Sequence, residues 1–147
     1  MTSTLRYLSV ALIALFLAAC GGGDEEDSGE NSNVQLPSTL VGTSITYTVT
    51  DSGTAGIPVG YKIKWTFSAG GVIKGVNPVT GQVVTPNSYT YQRSGTKGYV
   101  DVRYVQGTQT AYEIYTMSGQ TQNGGSYTYE GDTGTGKKTA AGTWVSN

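Results

Sequence analysis

The sequence predicts an all-β fold, a single small antiparallel meander that closes into a barrel rather than stacking as a sandwich. Three observations point there. From Val34 onward the chain holds 20 threonines, 18 glycines and 10 tyrosines, and no leucine follows Leu40. Thr and Tyr suit a pleated, half-buried surface, whereas a helical body would draw on Leu, Ala and Glu. Apolar and polar residues alternate over short stretches, and Gly-rich turn signals interrupt them about every ten residues, the spacing of a barrel or sandwich. Consecutive short turns favour up-and-down order over Greek-key crossovers. Closure would also remove the exposed edges that endanger such a sheet.

The first strand is expected over Ser44–Thr50, where Ile45, Tyr47 and Val49 alternate with hydroxyl residues. Its partner is Val59–Ser68, in which Val59, Tyr61, Ile63, Trp65 and Phe67 alternate with Gly60, Lys62, Lys64, Thr66 and Ser68. Strict period two over such a length puts one face on a core and the other in water. The loop Asp51–Pro58 joins the two. Ala69-Gly70-Gly71 turns the chain into Val72–Val76, and Asn77-Pro78-Val79-Thr80-Gly81 sets Pro in its favoured turn position. Val83 and Val84 lead past Pro86 to a short strand, Ser88–Arg93, carrying Tyr89 and Tyr91. Ser94–Gly98 is a hairpin turn rich in residues that tolerate unusual φ. In Tyr99–Val105, Val100, Val102 and Tyr104 oppose Asp101 and Arg103. Gln106-Gly107-Thr108 turns into Ala111–Met117, where Tyr112 and Ile114 point one way and Tyr115 and Met117 the other. Tyr127 and Tyr129 mark a further strand, and Gly142-Thr143-Trp144-Val145 closes a set of seven or eight.

Ahead of this body stands Arg6, an apolar run from Tyr7 to Phe16, and then Leu17-Ala18-Ala19-Cys20. The run has the length of a signal-peptide h-region and falls short of the roughly 20 apolar residues a spanning helix needs. The segment resembles the lipobox of bacterial lipoproteins. That resemblance implies a signal peptide over residues 1–19, a diacylglyceryl group on the Cys20 thiol, cleavage before it, and acylation of the new amino terminus. Several acyl chains, at about 0.8 kcal/mol per buried methylene, give a stable membrane anchor. Gly21 rather than Asp follows Cys20, which by the sorting rule of enteric lipoproteins implies the outer membrane.

Residues 20–36 then read as the lipidated cysteine and a flexible acidic tether, because Asp24, Glu25, Glu26, Asp27 and Glu30 bring like charge with little apolar surface. The stretch is similar to the tethers of surface lipoproteins. In one Gram-negative group of these, an acidic run just after the lipidated cysteine is a surface-export signal; here the run begins only after three glycines, which favours a solvated stalk. The β domain spans 37–147. Its Leu40-Val41-Gly42 opening, tyrosine-rich hairpins and closing Gly-Thr-Trp resemble the small lipocalin-like β domains of bacterial lipoproteins.

Composition narrows the chemistry. The chain has no histidine and one cysteine, so the usual general base and the commonest metal ligand are missing, and the lipid takes the sole thiol. Eight basic against five acidic residues from Val34 onward is too mild a bias for nucleic acid. Gly131–Thr139 approaches P-loop spacing, but Lys138 stands where the Mg²⁺-binding hydroxyl belongs and the following residues head into a strand. Glu130 and Asp132 supply two carboxylates where calcium wants six to eight oxygens. Asp101 and Glu113 are a conceivable glycosidase pair, yet each is expected in solvent on the polar side of its strand. No cofactor, metal or catalytic residue is therefore expected.

The tyrosines remain. Only 24 of the 114 residues from Val34 onward are Val, Ile, Leu, Met, Phe or Trp, so some tyrosines must build the core. Tyr47, Tyr61 and Tyr104 are placed inside. Tyr89, Tyr91, Tyr127 and Tyr129 are the candidate ligand-binding residues, with Tyr115 unassigned, since aromatic rings stack on sugars and apolar ligands. The expectation is a non-enzymatic, membrane-anchored envelope lipoprotein whose β domain binds an apolar or glycan ligand or serves structurally. The alternative is an inhibitor or partner-binding subunit of an envelope protein complex.

Overall fold

The computed structural model describes residues 34–147 except Gln122. The lipobox, Cys20 and the acidic run of the tether lie outside the described residues. The described residues form nine strands and one 3-10 turn, Ala69–Gly71. The strands are β1 (Ser44–Asp51), β2 (Lys62–Phe67), β3 (Ile73–Val76), β4 (Val83–Val84), β5 (Ser88–Ser94), β6 (Lys97–Gln106), β7 (Gln109–Thr121), β8 (Gly124–Asp132) and β9 (Lys138–Ser146). All join one antiparallel sheet in the order β4-β3-β2-β1-β9-β8-β7-β6-β5. Sequence neighbours are therefore sheet neighbours, with two exceptions. β1 pairs with β9, through Ile45↔Ser146 to Val49↔Gly142, and the consecutive strands β4 and β5 are the two edges.

The sheet curls into a half-barrel, loosely consistent with a lipocalin-like barrel, with the core on its concave side. Alternation decides what faces in. Ile45, Tyr47 and Val49 of β1, Ile63, Trp65 and Phe67 of β2, Val100 and Val102 of β6, and Tyr115 and Met117 of β7 are all buried. The expected pairing of the first two strands holds in register, Ile45↔Trp65 and Tyr47↔Ile63. Bulky rings fit inside because glycines sit beside them. Gly75 pairs with Trp65, Gly125 with Trp144 and Gly142 with Tyr127, and a Cβ on any of the three would meet that ring. The interior is thus built from large aromatic side chains laid over bare backbone, an arrangement that aromatic residues use to shield strand glycines.

Among the described residues the barrel does not close fully. β4 has two residues, and Pro86 just beyond it has no amide hydrogen to donate, so no ladder forms between β4 and β5. Side chains bridge the two sides instead. The Phe67 and Tyr89 rings lie 5.0 Å apart, and the Tyr89 hydroxyl donates to the Ser68 carbonyl at 3.2 Å.

Several boundaries also differ from expectation. The strand expected from Val59 begins at Lys62, because the turn at Pro58–Tyr61 places Gly60 at φ +86° and leaves Val59 exposed. Val83 and Val84, expected only as a lead-in, form a short strand on β3. β7 runs on to Thr121 and β9 starts early, at Lys138.

One end of the half-barrel is stoppered. Leu36, placed by sequence in the tether, is buried with Leu40 in the core. Arg93 donates to the Leu36 carbonyl at 2.7 Å and the Tyr91 hydroxyl to the Pro37 carbonyl at 2.8 Å. A Cβ at Gly98 would meet Leu36, and one at Gly119 would meet Val34, so this segment lies across the ends of β6 and β7.

Candidate functional site

The other end is open. A cleft of about 270 Å³ lies there, lined by residues of β1, β2, β4 and β6–β9 together with Ile57, Pro58 and Tyr61 from the loop after β1. That loop is held over the sheet by hydrogen bonds to the start of β9. Ala55 N donates to the Thr139 carbonyl at 2.9 Å, and Thr139 N donates to the Thr54 hydroxyl at 2.9 Å. The volume is just below the roughly 300 Å³ at which small-ligand sites begin.

Six tyrosines and Trp65 wall the cleft. Tyr47 packs on Tyr115 at 4.5 Å and edge-on to Tyr127 at 4.9 Å, while Tyr129 meets Tyr115 at 5.4 Å. Such edge-to-face and tilted contacts fix ring orientations by matching ring edges to ring faces. Tyr61, Tyr104 and Tyr129 are only partly buried.

The polar feature is Glu113. Its side chain was expected in solvent, but residues 113, 115 and 117 share a face, and that face is the inner one. The Tyr115 hydroxyl donates to its Oε2 at 2.9 Å, and the Tyr104 hydroxyl lies beside the same carboxylate. Burial nevertheless dominates and raises its pKa, with the two tyrosines pulling the other way. Tyr115 and Tyr104 are pushed far up by burial and then by the neighbouring carboxylate, and burial takes Tyr127 up to about 12. Burial thus favours the protonated form of the Tyr47, Tyr104, Tyr115, Tyr127 and Tyr129 hydroxyls and of the Glu113 carboxyl alike. Trp65, 1% exposed, keeps its Nε1–H near the Tyr115 hydroxyl without a hydrogen-bond partner.

A folded-state pKa above the unfolded one means that the folded protein binds the Glu113 proton more tightly. Stability is then greatest below the unfolded carboxylate value, falls as pH rises through the raised native value, and levels off beyond it. Urea unfolding of wild type and Glu113→Gln across this range checks it. The difference between them should shift steadily in favour of the amide as pH rises; a constant difference would contradict a buried, titrating carboxylate.

The four tyrosines singled out from sequence divide. Tyr127 and Tyr129 line the cleft. Tyr89 and Tyr91 do not, being engaged with Phe67 and Ser68 and with Pro37 at the seam and the stoppered end. Tyr47, Tyr61 and Tyr104 face inward as expected. Asp101 is on the outer face, paired with Arg103, so it and Glu113 lie on opposite sides of the sheet and form no carboxylate pair. The loop that approaches P-loop spacing connects β8 to β9 with no helix behind it, and the Asp132 carboxylate accepts the Gly134 and Gly136 amides at 2.7 and 3.1 Å. Glu130 is ion-paired with Lys137. The cleft residues that sequence reasoning missed are Glu113, Tyr115 and Trp65, along with Ile57 and Pro58. The shared parity of Glu113 with Tyr115 and Met117 was the available signal for the carboxylate.

Compared with protein-family models, curated proteins and solved structures, the chain matches none of them.

Proposed function

We propose that the protein is a lipid-anchored envelope lipoprotein, of the outer membrane by its residue after Cys20, whose lipocalin-like half-barrel is a non-enzymatic binding module. The observation that supports it best is the aromatic cleft at the open end of a half-barrel stoppered at the other. A sheet that needed only to be stable would gain by filling that end, since tight packing of apolar side chains is favourable. Here rings surround a space of about 270 Å³. Tyr127 and Tyr129 are its ligand-binding residues, and Cys20 carries the anchor.

Labelling cells with a tagged palmitate tests the anchor. Wild-type protein should carry the label and sediment with membranes, and Cys20→Ser should lose the label and appear in the soluble fraction. An unlabelled wild type would overturn the anchor. For the cleft, the purified full chain is titrated with small ligands while its two tryptophans are followed by fluorescence.

A second reading has its own observation. Among the described residues β4 and β5 are the edge strands, each paired on one side only, and Val79 before β4 and Val83 within it are 77% and 53% exposed. Edge strands accept added strands from other chains. Silence in every titration, with one reproducible crosslinked partner in intact cells, would favour a partner-binding subunit.

A further inference from the structure

Among the described residues lining the cleft, Glu113 is the only carboxylic acid, and none is a lysine or arginine. The rest of the wall is chiefly aromatic and aliphatic. Ring faces are electron-rich and attract cations, most strongly where water is excluded, and aromatic cages of this kind hold quaternary ammonium groups. A carboxylate at the same place adds direct charge attraction that bulk water would otherwise screen.

From this juxtaposition we infer that the cleft takes a small organic cation, an alkylammonium or quaternary ammonium group, with Glu113 as its counter-ion and the surrounding tyrosine rings as its cage. The inference rests on the binding-module reading and narrows it to one ligand class. Fatty acids fit the cleft poorly, because their carboxylates would meet Glu113 with no cation to separate them. A compact cation fits its volume of about 270 Å³ better than a long acyl chain does. Tyr61, Tyr104 and Tyr129 are the partly buried tyrosines of the wall.

The test uses the full chain in detergent, titrated with choline and with 3,3-dimethylbutan-1-ol, its uncharged near-isostere, with laurate and a panel of glycans alongside. Tryptophan fluorescence and the unfolding temperature are read together. Choline should give saturable binding at least tenfold tighter than the alcohol. Glu113→Gln should reduce choline affinity tenfold or more and leave the alcohol unaffected. Tyr61→Leu, which keeps bulk but removes a ring face, should weaken choline several-fold and the alcohol less. Equal binding of choline and the alcohol, or choline binding indifferent to Glu113→Gln in a folded variant, would overturn the cation assignment. Saturable binding of laurate or a glycan without choline would overturn it too, while leaving the binding module standing. No response to any probe would count against both.

Discussion

Gly142→Ala is expected to cost about 3 kcal/mol or more, enough to lower the unfolding temperature of a domain this size by roughly 10 °C or more. β9 is the central strand, held between β1 and β8, and Gly142 pairs with Val49 on one side and Tyr127 on the other. A methyl group there would run into the Thr48 carbonyl and the Tyr127 ring. The register of β1 slips between Val49 and Asp51, opposite this position. Backbone on one side and a buried ring on the other leave nothing free to move. The Tyr127 ring itself packs edge-on to Tyr47, so a displacement would pass into the core. Thr143→Ala, on the exposed face of the same strand, should stay within about 0.5 kcal/mol of wild type. Thermal unfolding of the two variants side by side is the measurement. Similar, small losses for both would mean that β9 is not clasped as described.

Trp65→Ala is expected to be the more damaging truncation, at about 3–5 kcal/mol, the range for removing a large aromatic from a core. Trp65 is 1% exposed, its six-membered ring lies against Gly75, and it forms part of the cleft wall. With alanine there, the paired backbone at Trp65 and Gly75 would have no ring over it. The cleft would widen toward β3. Trp65→Phe keeps an aromatic ring and removes an Nε1–H that has no partner, so it should lose far less, about 1–2 kcal/mol. Urea unfolding followed by far-UV circular dichroism gives both numbers without relying on the mutated fluorophore. A loss under about 1 kcal/mol for the alanine variant would show that the ring is not part of the core.

The two substitutions mark what the sequence could and could not show. The alternation Ile45-Tyr47-Val49 and Ile63-Trp65-Phe67 is a local signal, and both strands and their pairing could be read from it. The rings' resting places could not. Gly75 and Gly142 fall within expected strands, but nothing local shows that they, or Gly125, make room for a ring, because that role depends on which ring comes opposite across the sheet. Val59 was misread for the converse reason. It continued an alternating pattern, but the left-handed Gly60 broke the strand behind it. Glu113 shows the same limit at the site. A carboxylate is assumed to face water, and only its spacing from Tyr115 and Met117 indicates the inner face. Tyr127 and Tyr129 were identifiable as ring-bearing strand residues, but their separation from Tyr89 and Tyr91 follows from sheet order, which has no local signature.

The pairing of β1 with β9 has a consequence for how the chain reaches its native state. Eight ladders join the nine strands, and seven of them close within a short stretch of chain. The remaining one needs the beginning and end of the body to find each other, the slow, entropically costly step in folding of this kind. Read from β5 through β9 and on into β1 to β4, the same sheet is an uninterrupted zigzag, so the molecule is a circular permutant of a perfectly sequential hairpin array. The start of β1 and the end of β9 lie side by side in the middle of the sheet, where Asn147 N donates to the Ser44 carbonyl, and the natural place to cut the array is the gap at Pro86.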